Sequence, residues 1–466
     1  MKILLLACYE LGHQPLSLAW PLAFLQRAGY SATALDLSVQ PLTDEQVAWA
    51  DFVGIAAPMH TALRLGTLAA RRIRALNPRA YICFYGLYAH LNAQLLFDRR
   101  LADSVLAGES EEELVKLVRA LAAQGLSGVA APSTPQLTRL SFPTPFRAQL
   151  PALKKYAHYL NGHGAQLAGY VEASRGCLHT CQHCPITPVY GGRFFIVPAE
   201  TVLADIEQQV NAGARHITFG DPDFLNGPKH ALGLARELRR RWPGLTFDFT
   251  TKVEHILQHQ NLFAEFARLG CTFVVSAIES VSDEVLAQLR KGHTAAQIDE
   301  ALRILDEAGI ALQPTLVAFT PWTRLEDYVA QIEWIADRGL IAHIPPVQLS
   351  IRLLLPPGSP LAASPQPWLG PLDAENFTYR WIHPDARMEV LCQHVTALVA
   401  EAERSGEAPE QTFLAIRRLA YAALGHQPPI LKPRAGLRPP PPRLTENWFC
   451  CAEPTAGQFG RLTLQL

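Results

Sequence analysis

The chain has 466 residues, with 41 Lys and Arg against 42 Asp and Glu, a formal net charge of −1. At about 150 residues per domain this length allows roughly three domains; 49% hydrophobic and 18% charged residues make a globular composition and exclude a disordered chain. The balanced charge excludes a nucleic-acid binder held mainly by phosphate contacts, and an odd count of nine cysteines argues against a secreted disulfide framework.

The chain opens with a short apolar run, Lys2–Tyr9. It meets Glu10 without a small-residue cleavage site, so it reads as a buried first strand and not as an export signal. Helical spacing follows over Leu16–Arg27 and stops at Gly29. Ala32–Leu37 and Phe52–Ala57 are strand-like, and Thr61–Leu76 is an amphipathic helix. Ala80–Tyr85 is a strand closed by Gly86, Ser104–Ala107 a shorter one, and Glu109–Ala123 a helix. Apolar strands alternating with helices predict a parallel sheet covered on both faces, an α/β, Rossmann-like domain over 1–125. Ligands on such sheets sit beyond the carboxyl ends of the strands. Those ends carry Tyr9-Glu10, Met59-His60 and Gly86-Leu87-Tyr88.

Residues 126–164 are rich in Pro and Gly with little periodicity and read as a linker wrapping the surface. Alternation returns over 165–365. Strands are expected at Gly169–Ala173, Ile217–Gly220, Thr246–Thr250, Thr272–Ile278, Leu312–Phe319 and Pro346–Leu353, with helices between them. This predicts a partial or full parallel (β/α) barrel. Residues 366–466 form a small, mainly helical C-terminal domain with helices at Asp385–Glu403 and Pro409–Gly425. No segment reaches the ~18 apolar residues needed to cross a bilayer, so no membrane partner and a cytoplasmic location are expected.

The strongest signal follows the first barrel strand: Ser174-Arg175-Gly176-Cys177-Leu178-His179-Thr180-Cys181-Gln182-His183-Cys184-Pro185. The spacing C-x3-C-x2-C lets Cys177, Cys181 and Cys184 wrap one metal centre from a tight loop. Iron–sulfur clusters take thiolate ligands, and three local cysteines leave one iron of a four-iron cubane for a ligand that is not protein. Other readings stay open at this point: a zinc site completed by His179 or His183, an electron-transfer cluster with a distant fourth cysteine, or a buried small-residue stripe on a helix. The pattern resembles the radical S-adenosylmethionine (SAM) superfamily over about residues 165–360, with His183 where that family has an aromatic residue. The resemblance implies a [4Fe-4S] cluster on the three cysteines, with SAM bound through its amino and carboxylate groups at the free iron. It also implies roles for residues at the strand ends. Gly220-Asp221-Pro222-Asp223 falls where the family binds the SAM amino group, and Thr251-Lys252 ends the next strand. Ala277-Ile278-Glu279-Ser280 with Lys291-Gly292 is similar to the family's Gly-x-Glu-Ser and Lys-Gly signature, with Glu279 facing the ribose. Arg352 is the expected partner of the SAM carboxylate.

A Rossmann-like domain ahead of such a barrel resembles the cobalamin-binding domain of one radical SAM branch. Gly108-Glu109-Ser110-Glu111 is similar to its Gly-Glu-x-Glu turn, and Gly86-Leu87-Tyr88-Ala89-His90 lies where the branch has Gly-Gly-x-His. The D-x-H-x-x-G ligand motif is absent, so bound cobalamin and a degenerate domain that only shapes the site are both open. The tail, Cys450-Cys451-Ala452-Glu453-Pro454, resembles radical SAM proteins ending in Cys-Cys-Ala-Glu-Pro or Cys-selenocysteine-Ala-Glu-Pro. The architecture is also similar to arsinothricin-forming radical SAM enzymes. That resemblance implies transfer of the 3-amino-3-carboxypropyl group of SAM to trivalent arsenic, with Cys450 and Cys451 as catalytic thiols holding arsenite and Cys8 or Cys392 as candidate third ligands. Cobalamin-dependent methyl transfer is the alternative, and a non-enzymatic thiolate metal- or metalloid-binding protein is the alternative of another class. The expected partners are a small-molecule substrate and an external electron donor such as flavodoxin or ferredoxin, with no nucleic acid.

Overall fold

Five apolar strands build the first layer: β1 (Ile3–Ala7), β2 (Ala32–Asp36), β3 (Phe52–Ala56), β4 (Tyr81–Tyr85) and β5 (Ser104–Leu106). All pairings are parallel, in the order β2-β1-β3-β4-β5. Four of the five are buried along their whole length because helices cover both faces. Neighbouring strands diverge in connection between β1 and β3, and their carboxyl ends make the switch point where such sheets bind ligands. The computed structural model describes residues 1–126, 134–162, 164–431, 438, 440–446, 459, 460 and 463. The expected catalytic pair Cys450 and Cys451 lies outside the described residues.

The segment expected to be only a linker contributes structure. Arg147 is buried and donates to Asp205 through Nε (2.6 Å) and a terminal nitrogen (2.8 Å), and also to Gln14 Oε1 at 2.8 Å. It thereby ties the front domain to the first barrel helix, Ala199–Asn211. The segment also forms β6 (His158–Leu160), which pairs antiparallel with β7 (Ala165–Val171). Periodicity could not reveal a strand of three residues.

After β7 comes a hairpin of β8 (Ser174–Gly176) and β9 (Phe194–Ile196), which brackets the cysteine loop. The sheet then runs through β10 (His216–Phe219), β11 (Thr246–Thr250), β12 (Cys271–Glu279) and β13 (Ala311–Leu316). β7, β10, β11, β12 and β13 are parallel, and helices alternate with the last four of them. The expected last strand, Pro346–Leu353, is absent. Pro346–Ser350 forms a 3-10 turn, and a single bridge joins Phe319 to Arg352. Pro345 and Pro346 supply no amide hydrogens to a ladder. The barrel is therefore an open half-barrel.

The C-terminal region begins with a hairpin of β14 (Leu369–Asp373) and β15 (Thr378–Trp381), which sequence patterning missed. Helices Ala386–Ser405 and Pro409–Ala423 follow close to their expected bounds. Met388, Leu391, Val395, Phe413 and Ile416 join the same hydrophobic core as the barrel. A last strand, β16 (Arg443–Leu444), adds to the edge at β6. Glu446 then reaches back to the first layer, accepting a hydrogen bond from Tyr9 Oη at 2.7 Å. Among the described residues no helix is long and apolar enough to cross a membrane.

Candidate active site

The carboxyl ends of the two parallel sheets face one cavity of about 370 Å³. From the front sheet come Glu10 and Leu11 after β1, Pro58 and Met59 after β3, and Gly86, Leu87 and Tyr88 after β4. Of the strand ends marked in the sequence two residues do not line the cavity: Tyr9, whose Oη donates to Glu446, and His60, whose Nε2 sits 2.7 Å from the Asn376 carbonyl. From the half-barrel come Cys177, Cys181, Cys184, His183, Gly220, Lys252 and Glu279, all lining the same cavity.

The cysteine loop is set by local backbone demands. Gly176 has φ +75°, and a Cβ there would lie 2.4 Å from the Arg193 carbonyl oxygen, so only glycine fits. The loop is fastened by the Gln182 amide donating to the Leu289 carbonyl at 3.0 Å. Burial pushes the Cys177 thiol up to about 11, with Asp223 adding to the effect. A bound metal reverses this by taking the thiolate form. The donor set fits a multi-iron cluster better than zinc. Among the described residues, the only His, Cys, Asp and Glu donors gathered tightly enough for a single ion do not include these cysteines. A cubane sets its thiolates on separate irons, whereas one zinc draws its ligands into a single tetrahedron.

Glu279 occupies the bulge at the end of β12, where register shifts between Ala277 and Glu279. Its φ is +63°, unusual for a residue with a side chain. Burial alone would raise its carboxyl pKa, but Lys291 at 3.1 Å and His183 at 3.3 Å bring it down to about 2. Burial likewise opposes the charge on Lys291, and Glu279 together with Cys181 and Cys184 more than restores it. The cavity thus holds a fixed carboxylate able to accept from hydroxyl groups, beside a fixed ammonium. The Lys-Gly signature contains Lys291 but does not reveal this pairing.

Two expected SAM contacts are elsewhere. Asp221 is 1% exposed and does not line the cavity. Its oxygens accept from the Ala173 amide at 2.8 Å and Ser174 Oγ at 2.5 Å, so it braces the turn into β8. Arg352 pairs with Glu389 at 2.9 Å, donates to the Trp381 carbonyl at 2.6 Å and lies 3.6 Å over the Trp381 ring. The sequence around Arg352 could not reveal its partners, because Glu389 and Trp381 come from the C-terminal region. Cys8 and Cys392 are buried and likewise do not line the cavity.

Sequence reasoning also missed how the front domain grips the cysteine loop. Arg175 donates to Glu172 at 2.8 Å and pairs with Glu111 at 2.7 Å, while Tyr190 Oη donates to Glu109 Oε1 at 2.9 Å. Trp20 Nε1 donates to Glu172 at 3.2 Å. The Gly-Glu-x-Glu turn therefore holds the segments on either side of the three cysteines. Its charged residues, singled out with no partner in view, are the only signal the sequence offered.

Residues 171–333 match the family model described as Radical SAM superfamily. Hopanoid C-3 methylase of Methylococcus capsulatus is 26% identical over 348 residues, covering 71% of this chain and 66% of that protein. An uncharacterized methyltransferase of Pyrococcus horikoshii is 25% identical over 335 residues, covering 67% of this chain and 71% of the relative. Among solved structures, the cobalamin-dependent SAM radical enzyme OxsB with aqua-cobalamin bound superposes with a TM-score of 0.66 at 14% identity. That match covers 86% of this chain and 67% of OxsB. The radical SAM methyltransferase TsrM from Kitasatospora setae, with cobalamin and a [4Fe-4S] cluster bound, gives a TM-score of 0.61 at 15% identity, covering 82% of this chain and 84% of TsrM. These likenesses carry the fold: a front α/β layer, a half-barrel and a helical C-terminal region.

Proposed function

The chain is a radical SAM superfamily enzyme, and we propose that it transfers a methyl group from SAM to a small molecule with the help of cobalamin. One observation carries this reading: the three cluster thiols and the switch point of a five-stranded parallel sheet open on the same cavity. The names printed for the relatives support it, since two are methyltransferases and the solved neighbours bind cobalamin.

Cys177, Cys181 and Cys184 would hold the cluster, which supplies the electron that cleaves a sulfonium, while a corrinoid supplies a methyl carrier. Glu279 accepts from the ribose hydroxyls of SAM, and Lys291 and His183 keep it ionised for that purpose. Lys252, paired with Glu254 at 3.1 Å, sets a positive charge on the cavity wall, and Gly220 makes room for the Tyr170 ring, 2.2 Å from where a Cβ would sit. The front wall offers a broad apolar surface to a macrocycle, with Leu11, Pro58, Met59, Leu87 and Tyr88 facing the cavity beside the carboxyl groups of Glu10 and Glu111. At Gly108 the linker intrudes, with the Gln136 carbonyl 2.1 Å from where a Cβ would sit, so the ligand approaches from the β1–β3 side.

Carboxypropyl transfer to arsenite is the rival outcome. Its support is the sequence of the Cys450-Cys451 tail; Glu446, four residues before Cys450, contacts Tyr9 beside the switch point. An external reductant of the flavodoxin or ferredoxin kind completes either reaction.

The test is anaerobic reconstitution with iron, sulfide and hydroxocobalamin, followed by gel filtration. About four irons and one corrinoid per chain are expected, with Cys177→Ala losing iron and brown absorption but keeping corrinoid. Protein that retains no corrinoid contradicts the cobalamin reading, and a colourless, zinc-loaded protein contradicts the cluster.

A further inference from the structure

Beside the cysteine loop, the described residues bring together one set of donors within 4.8 Å of one another: His179, Asp223 and His255. They are distant in sequence. His179 lies between Cys177 and Cys181, Asp223 follows β10, and His255 sits in the first turn of helix Val253–Gln258 after β11. Asp223 is 0% and His255 6% exposed, while the His179 side chain, on the cavity wall, is 15% exposed.

Part of Asp223 is used by the fold. Its Oδ1 accepts from the Leu225 amide at 3.1 Å and Thr251 Oγ1 at 2.7 Å, and Oδ2 receives the Lys252 amide at 3.3 Å. Oδ2 also faces His255 Nδ1 at 2.9 Å and His179 Nε2 at 3.7 Å, and the two imidazoles meet with Nε2 atoms 3.3 Å apart. Despite that closeness, buried His255 Nδ1 makes no hydrogen bond. Two imidazoles and a carboxylate thus converge, and His255 Nδ1 among them is left unsatisfied. Bonds of about 2.0–2.2 Å around one tetrahedral or octahedral ion set its donors about 2.9–3.6 Å apart. Asp223 Oδ2 and His255 Nδ1, 2.9 Å apart, meet that spacing, and His179 Nε2 stands 3.7 Å from the same Oδ2, just beyond it. On the far side of His179, Glu254 Oε2 lies 3.5 Å from Nδ1, where it orients the ring with Nε2 inward.

We propose that His179, Asp223 and His255 form a mononuclear site for a divalent transition-metal ion, distinct from the cluster on the thiols. Two imidazoles with one carboxylate suit Zn²⁺, Fe²⁺ or Co²⁺, whereas Mg²⁺ and Ca²⁺ take sets of oxygens. His179 lines the substrate cavity, so the ion stands at its border and its remaining positions take water or an anionic group of the substrate.

Cobalt(II) is the probe. Protein whose cluster has already been reconstituted is titrated anaerobically with Co²⁺ and desalted, and its cobalt and iron are counted. One cobalt per chain is expected above the cluster iron, with weak visible ligand-field bands and no intense thiolate-to-cobalt charge transfer. His255→Asn and, independently, His179→Asn should each lose the cobalt while iron content holds. The proposal is overturned by no cobalt uptake in the wild type, by uptake that survives both substitutions, or by thiolate charge-transfer bands. A chain in which Cys177, Cys181 and Cys184 are all alanine should still bind one cobalt, so failure of the cluster reading is distinguishable from failure of this one.

Discussion

Glu279 and Lys291 show how a residue pair carries both stability and function. Both are almost fully buried, with side chains 5% and 3% exposed. Removing one member of a buried pair strands the other charge, which costs about 3–5 kcal/mol. Glu279→Gln should therefore lower stability by that order, as read by denaturant unfolding, and weaken SAM binding as well. The pH dependence has a fixed sign. Glu279 has a depressed pKa, so its contribution is present above the ordinary carboxyl value of 4.5 and is lost as pH falls towards about 2. Lys291 has a raised pKa, so its contribution is present below 10.5 and is lost at higher pH. The stability difference between wild type and Glu279→Gln should be flat from about pH 5 to 10 and shrink on the acid side. A difference that grows with acid contradicts the pairing. At this scale the sequence was only partly legible. Glu279 follows a recognisable signature, but Asp221 and Asp223 are two aspartates only two residues apart. Which carboxylate meets Ala173 and Ser174, and which meets the histidines, is decided by contacts with other strands.

Among the elements, the hairpin of β8 and β9 determines whether three thiols can converge. Its constraint is at Gly176, where the backbone is left-handed and the Arg193 carbonyl leaves no space for a methyl group. Gly176→Ala adds about 1 kcal/mol of backbone strain, plus the cost of pushing the two strands apart. Reconstituted Gly176→Ala protein should hold well under half the wild-type iron while its far-UV circular dichroism stays the same. Full iron loading would contradict the role given to this turn. Strand positions were legible because Val, Ile, Leu and Phe runs alternate with helical periods. The last barrel strand was not. Ile351-Arg352-Leu353-Leu354-Leu355 has the composition of a strand, but Pro345 and Pro346 force a 3-10 turn just before it, and only one bridge forms. The hairpin of β14 and β15 escaped because its turn carries no Asn-Gly or Asp-Gly signal.

At the scale of the whole molecule, the front layer and half-barrel are joined by buried polar contacts as well as by a shared core. Arg175 meets Glu111, Tyr190 meets Glu109, and Arg147 joins Gln14 to Asp205. Each contact crosses between segments far apart in sequence, so none could be read from local pattern. The domain succession could, because each sheet repeats its own strand–helix period. This arrangement brings the cluster thiols and the front sheet's switch point to one cavity, where the proposed methyl transfer takes place. The direct measurement is anaerobic turnover with SAM carrying a deuterated methyl group, a chemical reductant, cobalamin and a panel of acceptors, followed by mass spectrometry. The expected products are S-adenosylhomocysteine from the SAM that donates its methyl, 5'-deoxyadenosine and methionine from the SAM that the cluster cleaves, and a labelled methyl on the acceptor, all dependent on cobalamin and Cys177. Methylthioadenosine accumulating instead, with a carboxypropyl group on arsenic and no labelled methyl transferred, would contradict it.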